Sequence, residues 1–310
     1  MVTVPVAGRC VRTLVRRSAF FLAVATLALA LDAGSPPVIA AQAVHLEMRP
    51  HVGDTVRLRF DQRTDMRAQR FVDGEPRAMS LLTDVTVFTT AIVLRAMGRS
   101  ATVSAATDSA AVAMDPDPDG REAAVLRRQL AGQRILLELE PNGKTRIVQS
   151  GGMPAPELSA LFARMPALLP QSPVPVGDAW THTVPIPVAG QGGITATGML
   201  RTTFRLDSIS DTGDLAFITM RGTLIRSPVA SGEPGSGGGI SVETSGTMVG
   251  RLTLDRRRGW FREVHVDVTT ESVFSPASRS SATAITVTTR SVQSLRQLGR
   301  GGGRGTSGGW

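Results

Sequence analysis

LRTTFRLDSISDTGDLAFITMRGTLI, the run from Leu200 to Ile225, alternates apolar and polar residues on both sides of a Thr212-Gly213 turn. A period of two sends successive side chains to opposite faces, so the run reads as an antiparallel hairpin with one buried and one wet face. The same alternation recurs outward from it. Val56, Leu58 and Phe60 interleave with Arg57, Arg59 and Asp61, and Met248–Leu254 and Phe261–Val273 repeat the pattern. Thr283–Thr289 (TAITVTT) adds β-branched residues suited to a pleated surface. Asp73-Gly74, Asn142-Gly143 and Arg258-Gly259 supply turns between these runs.

Two segments break the rhythm. Arg121–Ala131 (REAAVLRRQLA) predicts a helix closed by Gly132. Pro156–Leu169 places Leu158, Leu161, Phe162, Met165 and Leu169 on one helical face, with Pro166 ending or kinking it. PQSPVP, Pro170–Pro175, then reads as an extended linker. The predicted strands fall into two similar halves, about 44–155 and 175–298, joined by the helix at 156–169. Each half opens on Gly-Asp (Gly53-Asp54, Gly177-Asp178), continues through a long strand pair and ends in a hairpin. The expectation is a mainly β protein: a duplicated antiparallel meander forming a strongly curved sheet or half-barrel with one or two helices packed on it, or two sheets face to face.

Composition narrows the chemistry. The chain has 310 residues, 42% of them apolar and 19% charged, which suits a globular body rather than wholesale disorder. Aromatics make up 4%, with no tyrosine, which argues against a stacking platform for sugars or bases. Cys10 is the single cysteine, excluding an intramolecular disulfide, a cysteine zinc site and an iron–sulfur cluster. No cofactor is expected.

The N-terminus reads as an export signal over residues 1–41. Arg9, Arg12, Arg16 and Arg17 precede the uncharged Ser18–Leu31, and small residues around Ala41 and Ala43 offer cleavage points. Fourteen residues rise only about 21 Å as a helix, short of a roughly 30 Å hydrocarbon core, and Asp32, Pro36 and Pro37 end the run. The expected location is periplasmic or extracellular, with no integral membrane segment after cleavage. The leader's four arginines and Asp32, net +3, and the tail's Arg300 and Arg304 hold most of the formal +8 charge, leaving about +3 on the body. Cations are not clustered with aromatics, so nucleic acid is not an expected partner. Gly299–Trp310 is a glycine- and arginine-rich tail with nothing to pack.

Few motifs point to chemistry. DPDPDG sets Asp115, Asp117 and Asp119 at the first three ligand positions of a calcium loop, but Leu126 stands where the bidentate carboxylate belongs. An acidic turn ahead of the helix explains these residues as well. His45, His51, His182 and His265 form no HExxH or i,i+4 pair, and no G-x-S-x-G elbow or phosphate loop occurs. A dispersed Ser/His/Asp set leaves no spacing signature. No catalytic residue is therefore assigned, and a non-enzymatic protein is expected.

The Gly-Asp openings, the segment MPALLPQSPVPVGDAW (Met165–Trp180) and the late D-x-x-x-GWF run (Asp255–Phe261) together resemble an exported, uncharacterised bacterial family, domain of unknown function 6263. That resemblance implies no reaction and no catalytic residue. In outline the layout is also similar to periplasmic lipoprotein carriers, whose curved sheet and helical lid hold acyl chains. The expected function is binding of a lipid or other apolar ligand between curved sheet and helices, with Leu158, Leu161, Phe162 and Met165 as the ligand-facing residues. The alternative is an envelope structural or protein-interaction module with a solid core.

Overall fold

The hairpin expected at Leu200–Ile225 forms, and its alternation is realised residue by residue: Thr202, Phe204 and Leu206 are buried while Arg201, Thr203 and Arg205 are exposed. The computed structural model describes residues 43–72, 75–98, 100–151, 168–188, 196–225, 229–231, 240–276 and 284–299. The first half supplies β1 (Thr55–Val72), β2 (Glu75–Met97), β3 (Ser100–Asp115), α1 (Arg121–Leu130), β4 (Arg134–Leu139) and β5 (Thr145–Gly151). The second supplies β6 (Ala179–Val188), β7 (Ala196–Ile209), β8 (Leu215–Ile225), β9 (Val229–Ser231), β10 (Ile240–Asp255), β11 (Trp260–Pro276) and β12 (Ile285–Leu298).

All the strands join one antiparallel sheet in the order β5-β4-β3-β2-β1-β12-β11-β10-β8-β7-β6, with β9 paired to β10. The chain therefore enters mid-sheet at β1 and meanders to one edge at β5. It resumes at the opposite edge with β6 and returns until β12 lies beside β1. That central seam runs from Arg57 opposite Leu298 to Gln69 opposite Thr286.

The sheet is strongly curved and open. β4 and β11 are five strands apart, about 24 Å in a flat sheet. Yet Gly143, in the β4–β5 turn, lies so close to Phe261 of β11 that an added Cβ would sit 3.4 Å from its ring. Glycines on the inward face assist the bend: a Cβ on Gly246 or Gly250 of β10 would lie 2.6 or 2.5 Å from the carbonyl oxygens of Thr269 and His265.

Two irregular segments fill one end of the curve. Residues 43–50 and 168–178 pair through Val44 and Val174. Met48 N–H donates to Pro141 O in the β4–β5 turn, and Arg49 N–H to Gly259 O in the β10–β11 turn. Leu168 and Leu169 N–H both donate to Asn142 O, and Gly177 N–H donates to Leu206 O of β7. These bonds draw the turns of both meanders around one plug. Leu46, Met48, Leu169 and Val174 project from it into a core completed by Val56, Val93, Val103, Phe204, Leu206, Ile218, Leu252 and Leu254. Leu168 and Leu169, expected at the end of a helix, are instead part of this irregular plug.

The α1 helix forms as expected. Its start is held by Asp117, whose carboxylate accepts the N–H of Ala123 at 2.9 Å and of Glu122 at 3.4 Å. Leu130 anchors its end, and Arg127 and Arg128 lie in the last turn, where the helix dipole favours cations.

Candidate functional site

Side chains at even positions of β1 share the face that bears the core, so the inward surface can be followed strand by strand. Beyond the plugged end the burial relaxes. Leu58, Met248, Val264 and Val266 pack against the core but are only partly covered, and Phe60, Val87, Val268 and Leu295 on the same face are half-buried. Register places Phe60 between Val87 and Leu295, and Leu295 beside Val264. The result is an apolar strip on the concave face of β2, β1, β12, β11 and β10.

The next inward row is polar. Gln62 Nε2 donates to Thr64 Oγ1 at 3.1 Å, Thr64 and Ser291 hydroxyls lie 3.4 Å apart, and Gln293 Nε2 donates to Ser291 Oγ at 3.4 Å. These four residues form a hydrogen-bonded patch on the β1–β12 seam. Thr244 and Ser272 pair at 3.0 Å and are buried. On the β6 wall, Trp180 stacks on Phe204 with ring centroids 5.6 Å apart, and its indole N–H donates to Leu168 O. His182 turns an edge to Phe204 at 5.9 Å, and its buried Nε2 has no hydrogen-bond partner among the described residues. An apolar trough with a few convergent polar groups is the composition of a small-molecule site.

The ligand-facing residues expected from the sequence, Leu158, Leu161, Phe162 and Met165, lie outside the described residues. Asp115, Asp117 and Asp119 do not converge: Asp117 caps α1, Asp119 pairs with Arg121 at 3.0 Å, and Asp115 ends β3 opposite Leu82. Among the described residues no three His, Cys, Asp or Glu side chains are grouped to hold a metal ion. Trp260 is buried beside Phe261. The inward Gln62, Thr64, Ser291 and Gln293 carry no motif and break the apolar alternation, so the sequence reading passed over them.

The convex face over the seam is charged. Odd positions of β1 present Arg57, Arg59, Asp61, Arg63, Asp65 and Arg67. Arg59 pairs with Asp61 at 2.9 Å, Arg67 with Asp65 at 2.9 Å, Arg290 with Asp267 at 2.7 Å, and Arg63 with Asp84 at 3.7 Å. Guanidinium hydrogen bonds hold the carboxyls of Asp65 and Asp267 below the ordinary range. Desolvation pushes Asp61 up, but hydrogen bonds from Arg59 and Thr86 outweigh it and its carboxyl also sits low. Two shallow hollows of about 210 and 270 Å³ flank Arg63 on this face, one against His265 and Ser294, the other against Ser80 and Asp115. Both lie on the side of the sheet away from the apolar strip.

Of the Met165–Trp180 segment, residues 168–180 lie in the plug and at the start of the β6 wall, and the Asp255–Phe261 run forms the β10–β11 turn. Residues 154–261 match the family of unknown function DUF6263. The matched segment includes the β6–β8 wall and β10, which provide Phe204, Leu206, Ile218 and Leu252 to the core. No curated protein matches the chain. Among solved structures, an outer membrane channel from Pseudomonas putida F1 is similar at 8% identity, covering 81% of this chain and 97% of its own, with a TM-score of 0.22. The toluene transporter TbuX of Ralstonia pickettii is similar at 10% identity, covering 80% of this chain and 90% of its own, with a TM-score of 0.14. Both scores fall well below a shared fold. The charged convex row of β1 is also the reverse of a membrane barrel, whose outward band is apolar. Among the described residues no helix is long and apolar enough to cross a membrane.

Proposed function

We propose that this chain is an exported, non-enzymatic envelope protein that holds a lipid or other apolar ligand against the concave face of its curved sheet. The observation that carries the reading is the half-covered strip of Leu58, Phe60, Val264 and Val266, adjoining a fully packed core at one end and a hydrogen-bonded Gln/Thr/Ser patch at the other. Apolar side chains left half-exposed on a concave surface gain free energy from an apolar occupant, about 25 cal/mol per Å² covered. Gln62, Thr64, Ser291 and Gln293 are placed to hydrogen-bond an ester, amide or hydroxyl at the polar end of such a ligand. The N-terminal leader supports export, and the lack of any catalytic spacing in the sequence supports a binding role.

Native mass spectrometry of protein purified without detergent, followed by solvent extraction, tests this directly. The expected result is added mass that resolves into lipid, reduced in a Phe60→Ser variant whose fold is intact by circular dichroism. A clean apo mass with no uptake of added envelope lipids would overturn it and leave the structural or interaction module.

A further inference from the structure

The convex face changes character between the two halves. Over the seam, Arg59, Arg63, Arg67, Arg290 and Arg296 each face a carboxylate. Over β7, β8 and β10 the exposed arginines Arg201, Arg205, Arg221 and Arg251 have no ion-pair partner among the described residues. Register sets them in a cluster: Arg221 stands opposite Thr203 and Val249, so Arg201 and Arg205 are its diagonal neighbours on one side and Arg251 on the other. Diagonal neighbours lie about 7–8 Å apart. Arg205 Nε donates to Gly177 O, which leaves its charge uncompensated. Asp267 and Glu263, diagonal to Arg251 on β11, pair with Arg290 and Arg296, and Asp207 accepts a hydrogen bond from Thr219 at 3.2 Å without an ion pair among the described residues.

Four like charges side by side repel one another, an arrangement that favours an anionic partner. Thr223 and Thr247, exposed on the same face, place hydroxyl donors beside the guanidiniums. Val249 and Phe217 add exposed apolar side chains, 53% and 39% accessible, to the same face. The donors are spread across strands instead of converging on one point, which suits an array of phosphates better than a single anion. The apolar side chains interleaved with arginine suit the headgroup–acyl boundary better than an acidic peptide. We infer that the convex face of β7, β8 and β10 docks on an anionic phospholipid surface, with Arg201, Arg221 and Arg251 pairing with lipid phosphates and Val249 and Phe217 entering the interface. This surface is separate from the concave strip, so a protein that yields no extractable lipid leaves the inference standing.

The test is co-sedimentation of the chain after removal of its leader with phosphatidylcholine vesicles, with and without phosphatidylglycerol. The expected result is preferential binding to the anionic vesicles, weakened by salt. Each arginine is expected to contribute about fivefold, so Arg201→Gln/Arg221→Gln/Arg251→Gln should lose on the order of a hundredfold. Its thermal midpoint should be unchanged because the side chains are exposed, and Arg63→Gln on the ion-paired face should bind as the parent does. Equal binding to neutral and anionic vesicles, or a triple variant that binds normally, would overturn the inference. So would loss of binding to inorganic phosphate at matched ionic strength, which would mark a discrete anion site, or capture of acidic protein in the absence of vesicle binding.

Discussion

The two ends of the concave face are made by the same strands and differ in what lies against them. At one end, residues 43–50 and 168–178 are stitched to the turns of both meanders, and Leu46 and Leu169 are each 0% exposed. A few residues along the same strands, Phe60, Val266 and Leu295 are only half-buried and a row of Gln, Thr and Ser replaces the aliphatic side chains. The curve is thus a solid core at one end and a lined trough beyond it. Stability should concentrate in the first region and binding in the second.

Leu169→Ala should damage the comparison most. It removes a fully buried side chain from the plug and is expected to cost about 3 kcal/mol in urea unfolding. Gly259→Ala follows at about 2 kcal/mol, because φ is +65° there and a Cβ would overlap the Arg49 backbone. Hydrogen exchange should show residues 43–50 released from the β10–β11 turn. Phe60→Ala, in the trough, is expected to cost about 1 kcal/mol while sharply reducing lipid recovery. A cost as large as that of Leu169→Ala would make the trough ordinary core. Gln62→Leu should stay within about 0.5 kcal/mol, so any loss of bound ligand would report on recognition.

The smallest effect belongs to the convex face. Asp267 has a folded pKa held below its ordinary 3.8 by Arg290. A depressed carboxyl contributes stability that is present above the unfolded value and is lost as pH falls through the folded one. Asp267→Asn should therefore cost under about 0.5 kcal/mol at neutral pH and flatten the acid limb, the two proteins converging in stability as pH falls below 3.8.

The strands that bury one full face were legible, and Leu200–Ile225 is the clearest case. β1 was read only as far as Asp61, whereas it continues to Val72. Its inward Gln62 and Thr64 are polar, so the alternation that marks a strand fades where the candidate site begins. β2 starts at Glu75, directly after the Asp73-Gly74 pair that reads as a turn. Residues 43–50 gave no periodic signal, since Leu46 and Met48 are buried by contacts with turns far along the chain. That Arg201, Arg205, Arg221 and Arg251 meet no carboxylate among the described residues was invisible for a related reason. Whether a guanidinium finds a partner off its own strand depends on which strand lies beside it: Arg63 of β1 reaches Asp84 of β2, and Arg290 of β12 reaches Asp267 of β11.

That seam has a consequence for how the protein is made. β1 is central in the sheet, yet its neighbour β12 is synthesised after every other described strand. Until then an 18-residue strand has one side of its backbone unsatisfied, a template for pairing with other chains. The nascent molecule is therefore most prone to aggregate along the line that the mature molecule closes last, and a holding chaperone would be most useful there.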